Sequence, residues 1–71
     1  MRKDLEYKGE PLQVIDIDGN KRYVDFEHMT NDKTKYARLV YKYKNKWYFN
    51  YMQGIGLLLI NKENIKQVIK E

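Results

Sequence analysis

The pattern of hydrophobic and polar positions predicts two strands between Leu12 and Glu27. Leu12–Ile17 and Arg22–Glu27 are rich in β-branched and aromatic residues, and Asp18-Gly19-Asn20-Lys21 separates them. Glycine and asparagine tolerate the positive φ of a tight turn, so these residues indicate a β-hairpin.

The alternation within this hairpin predicts its register. If Ile17 pairs with Arg22, Ile15 lies opposite Val24 and Gln13 opposite Phe26. One face then carries the apolar side chains Ile15, Ile17, Val24 and Phe26. Asp16, Tyr23 and Asp25 point to the other face, where we expect the carboxylates to be solvated.

A second hairpin is predicted between Tyr36 and Tyr51, a stretch that holds seven of the chain's ten aromatic residues. With Lys44-Asn45-Lys46 as the turn, Tyr43 lies opposite Trp47. The predicted core face then consists of Ala37, Leu39, Tyr41, Tyr43, Trp47, Phe49 and Tyr51. The other face carries Tyr36, Arg38, Val40, Lys42, Tyr48, Asn50 and Met52. A two-residue turn breaks this sorting, so we prefer the register with one apolar face.

The segments around these hairpins are shorter. Lys8-Gly9-Glu10-Pro11 predicts a turn before the first long strand, and the polar, aperiodic residues 28–35 predict a loop. Gln53-Gly54-Ile55-Gly56 predicts a sharp turn, and Leu57–Ile60 a short buried strand. The tail fits either a short helix capped by Asn61 or a 3₁₀ turn at Lys62-Glu63-Asn64 followed by a last strand.

The second half of the chain resembles an SH3-like barrel. The resemblance lies in an aromatic strand with Trp47-Tyr48-Phe49, a glycine turn, an apolar strand, a single helical turn and a short closing strand, and it covers about 25 residues. It implies a mainly β fold, a small antiparallel barrel of about five strands in which residues 1–71 form one domain. The first half lacks the acidic, tyrosine-bearing pattern of peptide-binding SH3 domains, so binding of proline-rich peptides is not implied.

The distribution of charge says more than its sum. Residues 1–32 carry five basic and eight acidic residues, a net charge of −3, whereas residues 33–71 carry nine basic and two acidic residues, a net charge of +7. Six basic residues and no acidic one lie between Lys33 and Lys46. Such a block indicates an anionic partner, or alternatively an attraction between the two halves that helps folding.

The residue inventory argues against an enzyme. The chain has no serine and no cysteine, so neither a Ser–His nor a Cys–His nucleophile pair can form. The chain has a single histidine, His28, in the predicted loop. A lone loop histidine is usually a surface residue rather than a metal ligand, because a metal site needs several convergent ligands. Asp16-Ile17-Asp18-Gly19-Asn20 resembles the centre of an EF-hand loop, but Val14 stands where the first acidic ligand is needed. We predict no catalytic residue, no metal and no cofactor.

The leading functional hypothesis is a small binding module for a charged macromolecule, with nucleic acid favoured by the basic block. Lysine and arginine would contact phosphates, and tyrosines on the outer face would stack on bases. The candidate residues are Lys33, Lys35, Tyr36, Arg38, Lys42, Lys44, Lys46 and Tyr48. In the opposing interpretation the tyrosines are core and the lysines protect sheet edges from aggregation.

The alternative hypothesis is a protein-interaction module, such as an inhibitor, an adaptor or a regulatory accessory. Its surface would be the acidic face of the first hairpin, consisting of Asp16, Asp18, Asp25 and Glu27, together with exposed tyrosines. A subunit whose free strand edges close a homo-oligomer is a third interpretation.

Location and membrane contact follow from simple limits. The longest apolar run, Leu57–Ile60, is far shorter than the roughly 20 residues that span a bilayer. The N-terminal residues lack the apolar segment of a signal peptide. Absence of cysteine suits a reducing compartment, so we expect a soluble, cytoplasmic protein without a membrane partner.

Overall fold

The computed structural model describes residues 5–69, and it is mainly β, as predicted. The strands are β1 Glu6–Tyr7, β2 Pro11–Asp16, β3 Lys21–Asp25, β4 Tyr36–Tyr43, β5 Lys46–Phe49, β6 Tyr51–Met52, β7 Gly56–Leu57, β8 Leu59–Asn61 and β9 Ile65–Ile69. A short helix, α1, spans Phe26–Thr30, and a 3₁₀ turn spans Lys62–Asn64.

All strand pairs are antiparallel. The main sheet has the order β1-β5-β4-β3-β2-β9. Strands β8 and β5 share one edge of β4, where β8 pairs with its first half and β5 with its second half. Among residues 5–69 no ladder joins β9 back to β8 or β5, so the predicted closed barrel is not found. The coarser prediction, an antiparallel β domain, is confirmed.

The β2–β3 hairpin forms as predicted but with a different register. Ile15 pairs with Lys21 rather than Val24, and Leu12 pairs with Val24. The loop is three residues long, Ile17–Gly19, with Gly19 at φ +85° in the left-handed region that such a loop requires. This shift of register reverses which side chains of β2 face the core. Leu12 and Val14 now join Val24 in the core, whereas Ile17 and Phe26, predicted as core, are exposed.

The β4–β5 hairpin also has a register that differs from the predicted one. Its turn is only two residues long, with Lys44 at φ 49° and Asn45 at φ 65°, and Tyr43 pairs with Lys46. Two consecutive positive φ angles produce a tight turn whose twist matches that of the strands. The aromatic residues are therefore divided between the two faces, with Trp47 opposite Lys42 and Tyr48 opposite Tyr41.

This division overturns part of the predicted core. Ala37 is buried and Leu39 packs against the core, as expected, but Tyr41, Tyr43 and Tyr51 are exposed. Tyr48, predicted on the outer face, is buried with 8% of its surface accessible. The buried cluster consists instead of Val14, Val24, Ala37 and Ile60, with Leu12, Met29, Leu39, Ile65 and Val68 packed around it.

Helix α1 replaces the first part of the predicted loop. Strand β3 ends at Asp25, whose carboxylate accepts a hydrogen bond from the backbone N–H of Glu27 at 3.0 Å and so caps the helix. Capping by aspartate stabilises a helix start, which explains the end of the strand two residues earlier than predicted.

The C-terminal prediction is confirmed in one of its two forms. Asn61 caps the 3₁₀ turn by accepting from the N–H of Glu63 at 2.9 Å, and β9 then pairs with β2. The alternative, a C-terminal helix, is wrong for the described residues, because Ile65–Ile69 form a strand.

Strands β6 and β7 form a small separate hairpin that leaves the edge of β4 and returns to it. At its base, the N–H of Asn50 donates to Leu39 O, the N–H of Leu39 donates to Leu58 O, and the N–H of Leu58 donates to Asn50 O. The glycine turn predicted at residues 53–56 closes this excursion, with Gly54 and Gly56 at positive φ. At its tip, Met52 and Ile55 are exposed.

Candidate functional site

The carboxylates of the first hairpin are used within the fold. Asp16 is buried, and its Oδ1 accepts from the N–H groups of Asp18 at 2.9 Å and Asn20 at 2.8 Å. Its Oδ2 accepts from Arg22 Nε at 2.8 Å. The hydrogen bond from Arg22, followed by that from Asn20, holds the pKa of Asp16 below its usual value. The turn residues that resemble an EF-hand therefore fold around this side chain.

Asp25 is the second internal carboxylate, and it is fully buried. Its Oδ2 accepts from Arg38 Nε at 3.0 Å and from Arg38 Nη2, and His28 Nδ1 lies 3.1 Å away. Burial alone raises the pKa of Asp25, but the hydrogen bond and charge of Arg38 outweigh it, and the pKa is lowered. Arg38 also lies over Phe49, 4.6 Å from the ring centroid. We call Asp25, Arg38 and His28 the buried ionic network.

Tyr7 holds β1 over this network. Its ring lies 5.3 Å from that of Phe49, and its hydroxyl donates to Glu10 O at 2.9 Å and accepts from the N–H of Phe26 at 3.2 Å. Burial raises the pKa of Tyr7, which favours the neutral hydroxyl in the folded chain. Gly9 fits beneath this side chain, because a Cβ there would lie 2.7 Å from the Tyr7 hydroxyl oxygen.

These contacts remove several predicted residues from the accessible surface. Asp16 and Asp25 are buried in ion pairs, so of the proposed acidic surface only Asp18 and Glu27 are exposed. The sequence predicted a solvated acidic face, and that expectation is wrong for Asp16 and Asp25. In the predicted basic set, Tyr48 is buried and Arg38 is paired with Asp25.

The remaining basic residues fall into two groups at opposite ends of β4. Lys33, Lys35 and Tyr36 are exposed at its start, and Lys42, Lys44 and Lys46 are exposed around the turn at its end. At about 3.3 Å per residue, Tyr36 and Lys42 are roughly 20 Å apart. The predicted basic stretch is therefore two surfaces rather than one.

Unlike Asp16 and Asp25, the lysines of the turn form no ion pair within the described residues. Within residues 5–69, the ion pairs join Arg22 to Asp16 and Arg38 to Asp25, His28 contacts Asp25 as well, and no ion pair involves a lysine. The ammonium of Lys44 lies 5.3 Å from the ring centroid of Tyr43. These cations remain available for an anion from outside.

A groove opens between β3 and β4 beside this turn. The two strands pair only at Tyr23–Val40 and Val24–Leu39. They separate on the side of Tyr23 where Lys21 and Lys42 lie. The space between them has a volume of about 460 Å³. We call it the basic groove, because its polar lining includes Lys21, Arg22, Lys42 and Asn50 and no carboxylate, beside Tyr23, Tyr41 and Trp47. Leu39 and Val40 complete it.

Tyr23 and Trp47 also line a second recess. Their ring centroids are 4.9 Å apart, and on their other side lies a cleft of about 870 Å³. We call it the apolar cleft, since most of its lining is hydrophobic: Pro11, Leu12, Phe26, Met29, Val68 and Ile69. Glu10, Gln13 and Thr30 supply its polar groups.

Sequence reasoning found only part of these recesses. Lys42 was predicted as a site residue, whereas Lys21, Tyr23 and Trp47 were not, because Trp47 was assigned to the core. The placement of Lys21 beside Lys42 depends on which strands are neighbours, and the alternation within each strand does not reveal that. Two separate β-favouring runs with a lysine at the turn of each were the available signal.

No family model matches the chain, and no curated protein and no solved structure matches it. Within the described part of the chain, no cluster of three or more histidine, cysteine or acidic residues is arranged to hold a metal ion. No helix formed by residues 5–69 has the length and apolar character needed to cross a bilayer.

Proposed function

We propose that this protein is a small non-enzymatic module that binds nucleic acid through the basic groove and the lysines of the β4–β5 turn. The observation that carries the proposal is the collection of Lys21, Lys42, Lys44 and Lys46 at one end of the sheet, with no carboxylate lining the groove. Such a surface attracts a polyanion and releases its counterions on contact.

The conformation of Lys44 adds support. A non-glycine residue at φ 49° is in the left-handed region, which costs an L-residue roughly 1–2 kcal/mol, and glycine or asparagine would relieve it. A lysine kept there places a charge at the outermost point of the hairpin. Strained residues often coincide with functional positions, so the choice of lysine favours a binding role for this turn.

We also propose that the fold is an SH3-like barrel left open. The support is the succession of β2, β3, β4 and β5 as neighbours, then a 3₁₀ turn, and then β9 paired back onto β2. A cytoplasmic location remains part of the proposal, on the ground that a chain without cysteine suits a reducing compartment.

Binding of short labelled oligonucleotides, followed by fluorescence anisotropy across a range of salt concentrations, tests the proposal. We expect a micromolar dissociation constant at low salt that weakens steeply as salt is added. Replacing Lys42, Lys44 and Lys46 together by alanine should weaken binding and reduce the slope of log K against log salt by about two to three.

A second triple variant with the same change in charge is the matched control. Lys33, Lys35 and Lys66 are exposed and lie away from the β4–β5 turn. Replacing them by alanine should cost clearly less affinity. Equal losses in the two triple variants would show that only net charge matters, and absence of micromolar binding at low salt would refute the proposal.

The protein-interaction hypothesis survives in a changed form. With Asp16 and Asp25 buried, the surface that favours a protein partner is the apolar tip of the β6–β7 excursion, where Ile55 is 69% exposed. An inhibitor, an adaptor or a regulatory accessory fits this surface, and so does a second copy of the chain. Capture of a specific protein that persists after nuclease treatment and disappears in Ile55→Asp would favour it.

A further inference from the structure

The two recesses share a wall made of aromatic rings. Tyr23 and Trp47 line both the basic groove and the apolar cleft, and their ring centroids lie 4.9 Å apart. A ligand that crosses this wall therefore meets positive charge on one side and hydrophobic surface on the other. An unpaired nucleotide combines the two matching groups, a negative phosphate and an apolar base face.

We propose that the partner is single-stranded nucleic acid, with a phosphate in the basic groove between Lys21 and Lys42 and an unpaired base in the apolar cleft against Trp47. This inference rests on the proposed function and specifies its partner. A base has an apolar face that stacks on an aromatic ring whatever its sequence. The cleft, at about 870 Å³, lies within the roughly 300–1,000 Å³ typical of small-ligand sites.

The polar groups of the cleft suit the edges of a base. Gln13 lines the cleft from β2. It is directly paired with Tyr23 of β3, whose ring contacts Trp47. Its amide offers both a donor and an acceptor. A purely apolar peptide would leave this amide, and the lysines of the basic groove across the aromatic wall, without a matching group, so charge complementarity favours the nucleotide.

Duplex nucleic acid cannot use this arrangement without losing a base pair. In a duplex the bases are stacked and paired, and extruding one of them costs a few kcal/mol. A duplex would contact the lysines through its phosphates only. The inference therefore predicts a preference for single strands that charge alone does not supply.

Trp47 provides a direct measurement, because it is the only tryptophan in the chain. The intact protein is titrated at low salt with a 12-nucleotide oligothymidylate and, separately, with a 12-base-pair duplex, while anisotropy and Trp47 fluorescence are both recorded. We expect the single strand to bind at least roughly ten-fold more tightly, since stacking on one aromatic side chain contributes about that much. Its binding should quench Trp47 fluorescence to saturation.

Two substitutions locate the base. Trp47→Leu removes the aromatic face but keeps a hydrophobic side chain, and it should weaken single-strand binding by roughly ten-fold and duplex binding much less. Tyr36→Leu is the matched control, because Tyr36 is exposed at the other end of β4 and was itself predicted to stack. It should change neither. Because quenching is read in the unaltered protein, the inference remains testable if Trp47→Leu does not fold.

The outcomes separate the inference from the function it rests on. Equal binding of single strand and duplex without Trp47 quenching refutes the single-strand inference and leaves nucleic-acid binding standing. No binding of either oligonucleotide refutes both. Loss of single-strand binding in Tyr36→Leu but not in Trp47→Leu places the base elsewhere and refutes the assignment of the cleft.

Discussion

The two hairpins carry opposite charges and treat them in opposite ways. In the β2–β3 hairpin, Asp16 folds back onto its own turn, and Asp25 closes the strand and caps α1. In the β4–β5 hairpin, Lys44 and Lys46 remain exposed, and no lysine in the described chain forms an ion pair. Asp16 and Asp25 are thus paired with Arg22 and Arg38 inside the fold, whereas the lysines of the β4–β5 turn keep their charge exposed.

The difference follows from the reach of the side chains. An aspartate carboxylate lies close enough to the backbone to accept from neighbouring N–H groups, so a turn or a helix start readily absorbs it. A lysine ammonium lies at the end of a four-carbon stem and is strongly hydrated, so it favours water unless a partner holds it. Acidic and basic stretches of a sequence therefore do not predict equally exposed charge in the fold.

The largest loss of stability is expected when the most buried carboxylate is removed. Asp25→Asn keeps the shape of the side chain but leaves Arg38 without its counter-charge, so we expect a loss of about 3 kcal/mol in the free energy of unfolding. Urea denaturation measures it. Asp18→Asn, an exposed carboxylate of the same hairpin, should change stability by less than about 0.5 kcal/mol. Similar results for the two variants would contradict the assignment of Asp25 as structural.

Acid provides a second test, in which the acidic hairpin alone should respond. The pKa values of Asp16 and Asp25 are lowered in the fold, so both groups stabilise it above the usual aspartate pKa of about 4. That stabilisation is lost as the pH falls below this value and through the lowered pKa values. Urea midpoints recorded between pH 7 and pH 2 should decline mainly below pH 4.

The matched variant for the acid experiment is again Asp25→Asn, which cannot lose a proton at this position. Its stability should fall less steeply in acid than that of the unaltered chain, because one of the two lowered pKa values is gone. Identical acid profiles would show that Asp25 does not contribute to the response.

In the basic hairpin, a substitution at the turn should change stability by a smaller amount and in the opposite direction. Lys44→Gly relieves the positive φ at the turn and should raise the free energy of unfolding by about 0.5–1 kcal/mol. The same change should weaken binding of oligonucleotides several-fold, since it removes a cation. Lys46→Gly, at a regular strand position, should lower stability instead. A loss of stability in Lys44→Gly would refute the interpretation of strain at this turn.

The strands and turns could be predicted from the sequence, but the register of the strand pairs could not. The β-favouring runs, the turn residues and the 3₁₀ turn before Ile65 indicated an antiparallel β fold with two hairpins and a final strand, and these are present. The registers were wrong, because the lengths of both turns depend on local backbone geometry. A buried Asp16 shortens one loop, and Lys44 adopts a positive φ in the other.

The candidate site was less accessible to prediction than the fold. Exposure of Lys44 and Lys46 was expected from their place in the turn, and exposure of Lys42 from its place on the outer face of the hairpin. Tyr48 and Trp47 exchanged roles once the register moved by one residue, because each single step reverses the face of every side chain. The basic groove exists only because β3 and β4 diverge on the N-terminal side of Tyr23, at Lys21 and Arg22, and no pattern within one strand records that divergence.

The β6–β7 excursion can be altered at its tip with little expected loss of stability. The three hydrogen bonds that link Asn50, Leu39 and Leu58 hold both of its ends on β4, so the edge of the sheet does not depend on what lies between them. Its exposed tip at Met52 and Ile55 adds nothing to the central core. Residues 52–55 are therefore the natural point at which to lengthen the loop or graft a peptide.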